Sequence, residues 1–71
     1  MANLDKLNQA IKERGLSQRF IANKIGLSEV VLSRKLHGQS EFTVSEANAI
    51  ASVIQMSTKE RNDIFFAKEV I

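Results

Sequence analysis

The 71-residue sequence predicts an all-α fold, a compact domain of five short helices, and three observations carry that expectation. Proline is absent while Leu, Ile, Ala, Lys and Glu abound, which suits short helices joined by tight turns. Tyr and Trp are missing and there is little alternating pattern, which speaks against a sheet. Ser, Thr or Asn precedes each apolar-periodic run, and all three glycines stand where such runs stop.

Leu4, Leu7 and Ile11 follow i, i+3, i+7 spacing after a possible Asn3 cap, and Gly15 can supply a left-handed stop, predicting a first helix near residues 4 to 14. Ser17 can cap a second helix over about 18 to 25, where Ile21 and Ile25 share a face, Phe20 borders it and Gly26 breaks the run. Ser28 can cap a third through about Leu36, with Leu32 and Leu36 stacked at i, i+4 before the turn at His37 and Gly38. TVSE and STKE are capping boxes, pairing Thr43 with Glu46 and Ser57 with Glu60. A fourth helix near 44 to 55 should then bury Val44, Ala47, Ile50, Ala51 and Ile54, and a fifth should run from about 58 towards 70.

A chain of this length is one domain that buries only about 60% of its unfolded surface. Without cysteine there is no disulfide or thiolate metal site, and the single histidine, His37, cannot form a ligand cluster, so neither metal nor cofactor is expected. No Ser–His–acid pairing, no glycine-rich phosphate loop and no volume for a small-molecule substrate pocket argue against an enzyme. MANLDKLNQAIK lacks the long apolar run of a secretory signal or membrane span, which points to a cytoplasmic protein with no membrane partner.

Net charge is only +2, but it is unevenly spread. Residues 12 to 37 hold Lys12, Arg14, Arg19, Lys24, Arg34 and Lys35 against Glu13 and Glu29, a surplus of +4, whereas residues 38 to 71 carry three basic and five acidic side chains, a surplus of −2. One end of the domain suits a polyanion and the other does not.

Gly26, Leu27 and Ser28 leave room only for a sharp corner between the second and third helices. Ala22 is small where the helices would cross, Gly26 can take a positive φ, and Leu27 and Leu32 can lock both helices into one core. Gln18, three residues, Ala22, three residues, Gly26, five residues, Leu32, with apolar Ile21, Ile25 and Leu27 between, resembles the helix-turn-helix of the phage Cro and repressor family. SRKLHGQSEFTVSEA is similar to the segment of small Cro-like regulators that ends the recognition helix and opens the fourth, so the likeness covers roughly residues 4 to 56. It implies a lambda-repressor-like fold and residues 1–71 as a single DNA-binding domain.

By about 100° of rotation per residue, Leu32 and Leu36 face inward while Val30 and Arg34 face out together. Val30 can contact a thymine methyl, and Arg34 can make a bidentate contact to guanine. Glu29 either complements the helix dipole, accepts from cytosine N4 or orients Arg34. The resemblance implies that Glu29, Val30 and Arg34 approach base edges, and Ser33 borders the same face. Phosphate contacts fall to Gln18 at the start of the second helix, to Arg19, Lys35, His37, Gln39 and Ser40, and to the N–H groups at Thr43. His37 at a helix end reads as a cap or a phosphate donor.

In NDIFFAKEVI, Ile64, Ala67 and Ile71 lie along one face and Phe66 and Val70 nearly opposite, so one stripe should close the core and the other meet a second copy; Phe66, Val70 and Ile71 are the interface candidates. A homodimer, stable or formed only on DNA, would set two recognition helices about 34 Å apart, matching a pseudo-palindromic operator in double-stranded DNA. The expectation is a phage or prophage Cro-like repressor acting by promoter occlusion. Since the chain ends just after the fifth helix, a self-cleaving mechanism is not expected unless the chain is an excised domain. The rival is a protein-interaction module, antitoxin-like or an anti-repressor, holding a protein through its fifth helix; Arg34 and Ser33 beside Val30 favour DNA.

Overall fold

Every predicted N-cap opens its helix. The computed structural model describes residues 2–66 and contains α1 (Leu4–Glu13), α2 (Gln18–Ile25), α3 (Glu29–Leu36), α4 (Val44–Val53) and α5 (Thr58–Arg61), the last continuing into one π-helical turn, Asn62–Phe66. The side chains of Asn3, Ser17, Ser28, Thr43 and Ser57 each accept a backbone N–H three residues on, satisfying a donor that no intrahelical carbonyl can reach. No strand occurs among the described residues.

Helix ends are set just as locally. Gly26 takes φ +78°, and the carbonyl of Ala22 accepts from both Gly26 N–H and Leu27 N–H, turning the chain between α2 and α3 within three residues. α4 ends in the same kind of motif without a glycine: Gln55 adopts φ +59°, and Met56 N–H donates to the Ala51 carbonyl at 2.8 Å.

The core is a single cluster to which every helix except the short α5 contributes. Leu7, Ile21, Leu32, Leu36 and Ile50 are its fully buried large side chains, with Ala22 at the crossing of α2 and α3 and Ile64 and Phe65 closing it from the π turn. α2 packs on α3 and α4, and α1 on α3 and the π turn. Burying a leucine such as Leu32 contributes about 1.5–3 kcal/mol, so α3 is held rigidly by its inward face.

Arg14 fastens the C-terminal end of α1. It donates to the carbonyls of Ala10 and Ile54 and pairs with Glu60 at 2.8 Å, joining α1, the end of α4 and the start of α5. The Glu60 side chain therefore serves Arg14, and the second capping box is only half formed: Ser57 accepts from Glu60 N–H, while the return bond expected from STKE is replaced by the ion pair. The Thr43–Glu46 box is complete.

Two further expectations are corrected. Val44, expected in the core, is 65% exposed, because it is the first residue of α4 and lies about 70° of rotation from the centre of the stripe formed by Ala47, Ile50, Ala51 and Ile54. The fifth helix is not uniform: it passes into a π turn at Asn62, within which the Ile64 carbonyl accepts Asn3 N–H at 2.6 Å, tying the N-terminal segment to the last described element. The rest of that predicted helix, including Ala67, Val70 and Ile71, lies outside the described residues.

Candidate nucleic-acid interface

The outward face of α3 is built by the same rotation that buries Leu32 and Leu36. Val30 is 60% exposed, Glu29 and Arg34 are exposed, and Ser33 is half-buried at the edge. An apolar side chain thus stands beside a guanidinium that makes no hydrogen bond or ion pair among the described residues. A branched methyl surface next to a five-donor fork can take a thymine methyl and a guanine edge in the major groove.

Glu29 occupies the first turn of α3, where its charge complements the dipole. It does not orient Arg34: the two lie about 140° apart around the helix, and no ion pair joins them.

Candidate phosphate contacts surround that face. Ser17 caps α2 by accepting from Phe20 N–H, which leaves the N–H groups of Gln18 and Arg19 in the first turn without intrahelical acceptors. Gln18 is half-buried and Arg19 exposed. Beyond α3, Gln39 and Ser40 are exposed on the loop that begins at Gly38. His37 is chiefly a cap: its Nδ1 lies 2.7 Å from the Ser33 carbonyl, which can only accept, so Nδ1 carries the proton.

Two positions differ from expectation. The Thr43 N–H donates to Glu46 Oε1 at 2.9 Å and is not free for an anion, so the unbonded donors at the start of α4 are those of Val44 and Ser45. Lys35 is turned inward, with its side chain 12% exposed and Nζ 2.9 Å from the same Glu46 oxygen. Burial pushes the Glu46 carboxyl up, but the Thr43 N–H and the Lys35 ammonium outweigh it and hold the group below its ordinary range. With Arg14 and Lys35 paired, the cations of residues 12 to 37 that form no ion pair among the described residues are Lys12, Arg19, Lys24 and Arg34.

Some contributors were not visible in the sequence. Asn8 donates its amide to the Leu36 carbonyl at 3.1 Å, fixing the end of α3 against α1. Phe20, expected at the core's border, is 43% exposed and lies under Lys24 Nζ at 5.5 Å. No pattern in a single sequence marks Asn8, because its partner is a backbone carbonyl 28 residues away.

A cleft of about 170 Å³ opens beside the loop after α3, with Phe42, Ala47 and Phe65 inside it and the exposed side chains of Val44 and Phe66 on its rim. A second cleft, between α1 and α5, is lined by Asp5, Glu13, Glu60 and Asp63 as well as Lys6 and Lys59, so acid predominates there. No helix among the described residues is long and apolar enough to cross a membrane.

Comparison with known proteins gives one finding: a family model described as helix-turn-helix matches residues 7–60. No curated protein and no solved structure matches the chain. The match includes all of α2, the Gly26 corner and α3, and it takes in α4 and most of α1. A family of DNA-binding proteins rather than enzymes is thereby identified, and the chain belongs to it: this is a helix-turn-helix protein of the Cro and repressor type.

Proposed function

We propose that the protein is a sequence-specific transcriptional regulator, a Cro-like repressor that binds a pseudo-palindromic operator as a homodimer. α3 enters the major groove, where Arg34 reads guanine, Val30 meets a thymine methyl, and Glu29 and Ser33 border the same base edges. Gln18, Arg19, Gln39, Ser40 and the unbonded N–H groups of Val44 and Ser45, which follow the Thr43 cap, set the domain on the backbone through phosphates, while His37 caps the end of α3. The observation that carries this reading is the outer face of α3, where Val30 is 60% exposed beside an Arg34 with no protein partner among the described residues. Binding covers a polymerase site in the cytoplasm, and occlusion is the mode of repression.

Dimerisation follows from energetics and from surface. One module with about six phosphate contacts binds DNA weakly and with steep salt dependence, so two linked half-sites are needed for selectivity. Val44 and Phe66, 65% and 38% exposed, flank an apolar cleft, a self-complementary arrangement suited to a twofold contact. Val70 and Ile71, beyond the described residues, remain part of the proposed interface.

Selection of bound sites from random duplexes tests the reading. The enriched site is expected to be an inverted repeat with half-site centres about one DNA turn, roughly 34 Å, apart. An unenriched pool overturns sequence reading, and enrichment of a single unrepeated half-site overturns the dimer. Val44→Ser with Phe66→Ser should weaken operator binding and self-association while leaving single half-site affinity unchanged.

A further inference from the structure

Lys35 sits in the last turn of α3, one residue after Arg34, yet its ammonium does not extend into solvent. Nζ lies 2.9 Å from Glu46 Oε1, donates to the Glu41 carbonyl at 2.8 Å and stands 5.9 Å from the centroid of Phe42. The same Glu46 oxygen accepts the Thr43 N–H. One cation therefore joins the recognition helix to the middle of the following loop, to its aromatic anchor and to the cap of α4. Among the described residues it makes the one side-chain hydrogen bond to positions 39–42. Phe42 in turn packs edge-on against Phe65 at 5.5 Å, carrying the connection into the core.

We infer that Lys35 is a positioning residue for DNA recognition: it latches the loop bearing Gln39 and Ser40, and the start of α4, against α3, and does not itself contact phosphate. The inference rests on the proposed role of that loop at the DNA backbone. Swinging Lys35 out to a phosphate would strip the Glu46 carboxylate, with its side chain 19% exposed, of its cation while bringing a polyanion near it. Breaking such a pair from one side is costly because the remaining charge stays partly desolvated.

The latch and the direct contact predict opposite signs at Glu46. Deleting a carboxylate near a polyanion ordinarily tightens binding, and Glu46→Gln also releases Lys35 towards phosphate. If Lys35 is a latch, Glu46→Gln instead loosens the loop and weakens binding. Operator affinity should be titrated against salt for wild type, Lys35→Met and Glu46→Gln, with folding checked by circular dichroism. The latch predicts roughly tenfold weaker binding in each variant, within the range of coupled neighbours. It also predicts an unchanged log K against log[salt] slope for Lys35→Met, where loss of one phosphate contact in each subunit of the dimer would reduce that slope by about 1.8, or about 0.9 per half-site.

A reduced slope, tighter binding by Glu46→Gln, or unaltered affinity in both variants overturns the latch. Should Lys35→Met fail to fold, the sign of the Glu46→Gln effect decides alone. Wild-type behaviour separates the two proposals: no operator binding by wild type refutes the proposed function itself, whereas wild-type binding with a reduced Lys35→Met slope refutes only the latch.

Discussion

Val30→Ala separates reading from folding, because its effects on the two can be worked out independently. Val30 is 60% exposed, so two methyl groups are mostly uncovered in the free protein. If thymine covers that exposed share, about 0.8 kcal/mol per buried CH₂ gives about 1 kcal/mol or roughly fivefold per half-site, and about 2 kcal/mol or roughly thirtyfold in Kd for a dimer on the full operator. Within the protein, the substitution loses about 0.6 kcal/mol from the covered share and regains about 0.5 kcal/mol of helix propensity. Stability should therefore stay within about 0.5 kcal/mol of wild type while operator affinity falls. Fluorescence anisotropy on the selected operator measures the first term, and a denaturant titration the second. Replacing the contacted thymine by uracil should reproduce the loss with wild-type protein, and Val30→Ala should then be indifferent to the base. Unchanged affinity, or equal and additive losses from protein and base substitutions, would refute the contact.

Other consequences concern the scaffold. Arg14→Met should lower stability by about 1–2 kcal/mol, a shift of several degrees in melting temperature, because it leaves the Ile54 carbonyl and Glu60 without their shared donor; the exposed share of that ion pair adds little. Gln55→Gly should stabilise by about 0.5–1 kcal/mol in the same melt, since a glycine takes φ +59° without the side-chain penalty. Glu46 predicts a pH effect: a carboxyl held below its ordinary value of 4.5 stabilises the fold at higher pH, and that stability is lost as pH falls through the lower folded value. The melting curves of wild type and Glu46→Gln should thus differ at pH 7 and converge in acid, and a constant gap would contradict the assignment.

How much the sequence discloses depends on the range of the interaction. Caps and glycine stops are local, so Asn3, Ser17, Ser28, Thr43 and Ser57 mark the helix starts, and Gly15, Gly26 and Gly38 take the positive φ that ends the first three. The outward placement of Val30 and Arg34 follows from rotation about one helix, and it too was legible. Partner choice across the fold was not. Lys35 reads in sequence as a phosphate donor and Glu60 as the capping partner of Ser57, and only the placement of Glu46 beside the one and Arg14 beside the other makes them members of ion pairs. Gln55 carries no glycine signal although the Met56 N–H bond to the Ala51 carbonyl closes the same left-handed stop there, and Val44 misleads because the first residue of a helix can sit beside the buried stripe without joining it.

If base sequence is read by the outer face of α3, Arg34→Ala removes the side chain that reads guanine. The guanidinium has no partner among the described residues, so the melting temperature should hold. The ratio of operator to random-duplex affinity should fall by about 1–3 kcal/mol per half-site, with preference relaxed at one base pair in each. A variant that keeps the wild-type ratio and the same preferred sequence would contradict the account.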